Sequence, residues 1–148
     1  KDCALQEIIE DATLLVRLKL EQSQVDLHIK EFRETLFVYV DKGQIQQALL
    51  NLMLNALVAM PNGGQLTLEA GRAADGKAQI LVSDTGSGIP NELQGQIFDS
   101  FLTGTTDGTG LGLSISKRIL RAHDGNLELL ESGQNGTVFK IILPLVAL

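Results

Sequence analysis

Asp84-Thr85-Gly86-Ser87-Gly88-Ile89-Pro90 follows the apolar run Ile80-Leu81-Val82, and Gly108-Thr109-Gly110-Leu111-Gly112-Leu113 leads into an amphipathic stretch that ends near His123. The first reads as a strand that stops in an acidic glycine turn. The second reads as a glycine loop feeding a helix. Upstream, Gln44 to Met60 is apolar on most sides and carries Asn51 and Asn55 on its narrow polar stripe. Strand, glycine turn and helix succeed one another here, so the chain belongs to the α/β class.

Working outward, Leu5, Ile8, Ile9, Ala12, Val16 and Leu20 recur at helical spacing, which predicts a helix over Leu5 to Gln22. Val25 to Lys30 alternates apolar and polar residues and predicts a half-buried strand; Leu36 to Val40 is a short β-rich run. Asp41 is placed to cap the asparagine helix, and Pro61-Asn62-Gly63-Gly64 ends it. Gln65 to Gly71 and Lys77 to Ser83 predict a hairpin. A short helix starts at Pro90 and reaches about Phe98. Asp99 to Thr109 reads as a loop without period. Leu111 to His123 predicts a helix, and Leu127 to Glu131 and Thr137 to Leu143 predict strands around a turn at Ser132 to Asn135. These elements assemble most simply as a two-layer α/β sandwich, a mixed β-sheet covered on one face by helices.

With 148 residues, 44% of them hydrophobic and 20% charged, the chain suits one domain with one core. A net charge of −6 argues against a nucleic-acid backbone or an anionic membrane as partner. It leaves a nucleotide open, because a metal ion and backbone amides neutralise phosphates locally. The single cysteine, Cys3, cannot form an internal disulfide, which fits a reducing, cytoplasmic setting. No segment is long and apolar enough to span a bilayer. The ends fall abruptly in ordered-looking sequence, as expected of a domain excised from a longer chain.

Asn51 and Asn55 are one turn apart on one helix face. Taken alone they read as two satisfied amides packed near a loop. The alternative is that the Asn55 carbonyl oxygen ligates Mg²⁺, a hard cation that takes oxygen donors and keeps several waters. Asp84 at a strand end accepts hydrogen bonds; the exocyclic amine of adenine would donate one, whereas guanine presents a carbonyl there. Gly86 and Gly88 would let the backbone pass close under a base. The same loop also fits a plain β-turn, and an apolar run before Asp-Thr-Gly-Ser resembles the active-site signature of aspartic proteases, which are almost wholly β. Gly110 and Gly112 open a helix whose first amides suit phosphates. No Gly-Lys-Ser/Thr follows, so this is not a Walker A loop. Together the pieces point to a site for a purine nucleotide with magnesium.

In combination the motifs resemble the ATP-binding catalytic domain of sensor histidine kinases, within the gyrase, chaperone, histidine-kinase and mismatch-repair superfamily and its Bergerat-type fold. Asn51-Leu52-Met53-Leu54-Asn55-Ala56 matches the N box, and Asp84 to Pro90 the first glycine box. Ile97-Phe98-Asp99-Ser100-Phe101 matches the F box, Gly108 to Ile115 the second glycine box, and Gly136-Thr137-Val138-Phe139 the last. They stand in the family's order, and the run from Asn55 to Gly64 looks most like the nitrogen-regulation type. The resemblance implies that Asp84 reads adenine, helped by the Thr137 hydroxyl. It implies that Asn55 holds Mg²⁺, with Asn51 beside it on phosphate or metal. Gly86, Gly88, Ile89, Phe101, Thr109, Gly110, Leu111, Gly112 and Leu113 would line the nucleotide, under a lid from Phe98 to Gly108 hinged at Phe98 and Phe101. Hydrolysing relatives carry Glu at the position of Asn51; an amide takes no proton at neutral pH, so the γ-phosphoryl would be kept for another nucleophile.

The implied acceptor is a histidine on a dimerisation helix, with relay to the receiver domain of a response regulator. Neither His28 nor His123 stands in such a setting, so the acceptor domain is expected to lie outside this chain, and the isolated chain to bind ATP without autophosphorylating. The chain departs from many relatives at Val58 and Thr105, where they carry Lys, and at Ser100, where Pro is common. Alternatives of other classes are a non-catalytic ATP-sensing module and an anti-sigma-type serine kinase.

Overall fold

A computed structural model describes residues 2–98 and 110–146. A five-stranded sheet runs in the order β2 (Val25–Ile29), β4 (Gly64–Arg72), β5 (Ala78–Asp84), β7 (Gly136–Leu143), β6 (Asn126–Gly133). β2 pairs parallel with β4, and the other pairings are antiparallel, so the sheet is mixed as expected. Helices α1 (Leu5–Gln22), α2 (Lys42–Ala59) and α4 (Gly110–Ala122) supply the second layer, and α3 (Asn91–Gln94) is a single turn after Pro90.

Strand alternation directs the core to one face. On β5, Ala78, Ile80 and Val82 are buried; on β7, Phe139, Ile141 and Leu143 are buried. They meet Ile8, Ile9 and Ala12 of α1, Leu49, Leu52 and Met53 of α2, and Leu113 and Leu120 of α4 in one cluster. Asp41 caps α2 as its sequence predicts, its Oδ1 accepting from the Gln44 amide at 3.2 Å. Ser116 Oγ donates to the Ala48 carbonyl at 3.1 Å, which locks α4 against α2.

The structure corrects the sequence reading in places. Phe37–Tyr39 (β3) is a strand, but it pairs antiparallel with Asp2–Ala4 (β1) in a separate two-stranded ribbon. Three residues give no alternation to read, so β1 escaped detection. β6 runs on to Gly133 and leaves only Gln134 and Asn135 in the turn. A register shift between Leu129 and Glu131 hides the strand's period, because an extra residue reverses which side chains face the core. After α3 the chain continues as turn through Phe98, not as helix.

Candidate nucleotide site

The alternation that buries Val82 also buries Asp84, so a carboxylate takes the last place in an apolar row. Asp84 is 8% exposed, and one of its oxygens accepts from the Gly86 amide at 2.8 Å. Burial pushes its carboxyl above the ordinary range, against the pull of the Gly86 and Thr137 amides that favour the ionised form. Thr137 stands directly opposite on β7 and is itself buried. Asp84 and Thr137 border a cleft of about 300 Å³ that also takes in Ser132 and Gly136.

The first glycine segment is held from several sides. The Ser87 amide donates to the Ala59 carbonyl at 3.2 Å, and the Ile89 amide donates to Ser132 Oγ at 2.7 Å. A Cβ on Gly86 would sit 2.6 Å from the Ala59 carbonyl oxygen. Gly88 has φ of +82°, and its α-carbon faces the Gly133 backbone with no room for a side chain. Protein neighbours therefore account for glycine at both positions. The sequence reading assigned that need to a base passing close by; the structure places backbone there instead.

Helix α2 ties the two glycine segments together. Asn51 Oδ1 accepts from Gln47 Nε2 at 2.9 Å, and its Nδ2 donates to the Gly112 carbonyl at 3.4 Å. Two turns on, Ala59 receives Ser87. Asn51, Asn55 and Ala59 are each four residues apart, hence on one stripe about 12 Å long. Asn55 stands midway, half-buried, between the start of α4 and the first glycine segment. Among the described residues its side chain has no hydrogen-bond partner, so its carboxamide oxygen is available to a ligand. That hard oxygen donor fits Mg²⁺. Asn51, by contrast, is already engaged at both ends.

Gly110, Leu111, Gly112 and Leu113 form the first turn of α4, where amides lack intrahelical partners. Leu113 is buried in the core. Phe101 and Thr109, with all of the expected lid beyond Phe98, lie outside the described residues. Phe98 packs edge-on against Phe139 at 6.4 Å between centroids, and Lys117 Nζ lies 4.7 Å from the Phe98 centroid while donating to the Leu127 carbonyl at 2.8 Å. Burial, with Arg121 nearby, pulls the Lys117 ammonium below its ordinary value.

His123 is committed on both ring nitrogens. Nδ1 faces the Ile119 carbonyl at 2.8 Å, so it must carry the proton, and Nε2 accepts from the Asp41 amide at 3.2 Å. This ring is a clasp between α4 and the start of α2. Gln47, Lys117 and Ser132 were missed by sequence reasoning. Ser132 was within reach: a two-residue turn at Gln134-Asn135 puts it opposite Thr137, as the observed register does.

Residues 40–147 match the family described as histidine kinase-, DNA gyrase B- and HSP90-like ATPase. The chain belongs to that family. It is 33% identical to the signal transduction histidine-protein kinase AtoS of Escherichia coli, over 96% of this chain and 23% of AtoS. It is 37% identical to sporulation kinase C of Bacillus subtilis, over 95% of this chain and 33% of that kinase. The chain thus spans only a quarter to a third of these relatives. The nucleotide-free catalytic domain of the histidine kinase ThkA superposes with a TM-score of 0.86 at 33% identity, covering 97% of this chain and 94% of that domain. In fold and sequence this is the ATP-binding catalytic domain of a histidine kinase, and the aspartic-protease resemblance of Asp84-Thr85-Gly86-Ser87 falls away. Among the described residues no helix is long and apolar enough to cross a membrane.

Proposed function

We propose that this kinase domain binds Mg-ATP between Asp84 and Asn55 and transfers the γ-phosphoryl to a histidine on a separate dimerisation domain. The observation that carries the reading is the Asn51–Asn55–Ala59 stripe, whose two ends touch the second and first glycine segments. Asp84, acceptor-only in its carboxylate form, receives the adenine amine, and the amides of the first turn of α4, which have no intrahelical partner, receive phosphate oxygens. Asn55 supplies an oxygen to the metal, which when bound neutralises phosphate charge. Asn51 offers no general base, because an amide does not take a proton at neutral pH; water is therefore not activated and the phosphoryl group waits for its acceptor.

His123 is not that acceptor on this reading, since both its nitrogens are occupied. The acceptor domain belongs to the rest of the parent protein, and this chain is one ATP-binding domain acting in the cytoplasm. ThkA has been solved in complex with the response regulator TrrA, over a region that this chain matches at 30% identity. By analogy the phosphoryl group passes onward to a receiver domain. Mixing the chain, labelled ATP and the parent's dimerisation domain tests the proposal: label must appear on that domain and depend on this chain.

A further inference from the structure

Asp84, Thr137 and Ser132 stand side by side on β5, β7 and β6, each directly opposite the next. Facing residues on neighbouring strands share a sheet face. Ser132 Oγ lies 2.8 Å from Thr137 Oγ1 and also accepts the Ile89 amide at 2.7 Å. One hydroxyl therefore joins the last motif of the chain to the first glycine segment, directly beside the buried carboxylate.

We infer that Ser132 is a positioning residue for nucleobase recognition: its hydroxyl donates to Thr137 Oγ1 and so frees the Thr137 proton for a ring nitrogen of the base. The inference deepens the ATP reading and rests on it. The Ser132–Thr137 contact uses one of the pair's two hydroxyl protons, because each hydroxyl donates once. The Ile89 amide already fills one Ser132 lone pair, which favours Ser132 as donor in that contact. Thr137, buried next to Asp84, then presents a donor beside an acceptor. An adenine edge offers the complement, an amine next to an unprotonated ring nitrogen. Hypoxanthine offers a carbonyl and an N–H at those places and is refused by both groups.

The test is titration calorimetry of ATP and ITP, with Mg²⁺, on the wild-type chain and on Ser132→Ala, Thr137→Val and the double variant, alongside thermal melts. The expected result is a loss of about five- to tenfold in ATP affinity for Ser132→Ala, the effect of one hydrogen bond. The preference for ATP over ITP should shrink by a similar factor, and the double variant should be no weaker than Thr137→Val alone. An unchanged ATP affinity in Ser132→Ala overturns the inference. So does a Ser132→Ala loss that persists in full in the Thr137→Val background, or that is equal for ATP and ITP, because that is the mark of a general loosening. A wild-type chain that binds no ATP would instead sink the nucleotide reading beneath it.

Discussion

The Ser87 amide donates to the Ala59 carbonyl at 3.2 Å, which fastens the first glycine segment to the end of the helix that carries Asn51 and Asn55. Eight residues earlier on the same stripe, Asn51 holds the Gly112 carbonyl. One rigid helix thereby sets the spacing between the place where a base would be read and the place where phosphates would be gripped.

Gly86 and Gly112 should answer differently to alanine. A Cβ at Gly86 meets the Ala59 carbonyl oxygen at 2.6 Å, whereas at Gly112 the nearest atoms are Asn51 Cβ and Cγ at 3.7 Å, ordinary contact. Gly86→Ala should cost about 1–3 kcal/mol, as overpacking does, and lower the melting temperature by several degrees. Gly112→Ala, in a helical turn, should leave the melting temperature unchanged or raised. Calorimetric melts of both variants decide; equal destabilisation would contradict the packing described.

The buried Asp84 carboxylate should weaken the fold at neutral pH. Its carboxyl is held above the ordinary value by burial, so the folded chain binds the proton more tightly than the unfolded chain does. Stability from this group is complete below the ordinary carboxyl range and is lost as pH rises through the raised folded value. Asp84→Asn should therefore melt higher at pH 7, with the gain disappearing in acid below the ordinary carboxyl range. A variant that melts lower than wild type at pH 7 would mean that the Gly86 and Thr137 amides outweigh burial.

Much of this was legible in the chain. The helices around Ile8, Leu52 and Leu120, the Asp41 cap and the Gln65-to-Ser83 hairpin followed from period and turn chemistry, because those segments bury one regular face. The ribbon of Asp2–Ala4 with Phe37–Tyr39 was hidden by its brevity. Ser132 and Gly133 read as turn although the strand runs through them, because a bulge just before interrupts the alternation. At the site, Asp84 and Asn55 were visible as polar residues in apolar rows. Lys117 was not, since Phe98 and the Leu127 carbonyl reach it only on folding. Gln47 lies on the same polar stripe as Asn51 without a sign of its role, and Ser132 was reachable only through the two-residue turn. The reason for glycine at Gly86 and Gly88 was likewise tertiary, set by Ala59 and Gly133.

Asn51 and Asn55 should separate structure from metal. Asn51→Ala removes contacts to Gln47 and Gly112 and should cost about 0.5–1.5 kcal/mol, seen as a lower melting temperature. Asn55→Ala breaks no hydrogen bond among the described residues and should melt like wild type. It should nevertheless abolish the Mg²⁺ dependence of ATP binding in titrations with and without the ion. Retained Mg²⁺ dependence would reassign the metal ligand.

The chain alone, given labelled ATP, should take up no label, since His123 has neither nitrogen free and His28 lies on strand β2 rather than on an acceptor helix. Adding the parent's dimerisation domain should yield label on that domain that is lost in acid and kept in base, the behaviour of phosphohistidine. Acid-stable label would indicate a serine acceptor instead.

The proposed site, with the base at Asp84 and the phosphates and metal near Asn55, is tested most directly by titration calorimetry of Mg-ATP and Mg-GTP into the wild-type chain and into Asp84→Ala, with the fold of each checked by circular dichroism. The wild type should bind ATP in clear preference to GTP, and folded Asp84→Ala should bind neither. Wild-type ATP affinity in a folded Asp84→Ala chain would contradict the proposed site.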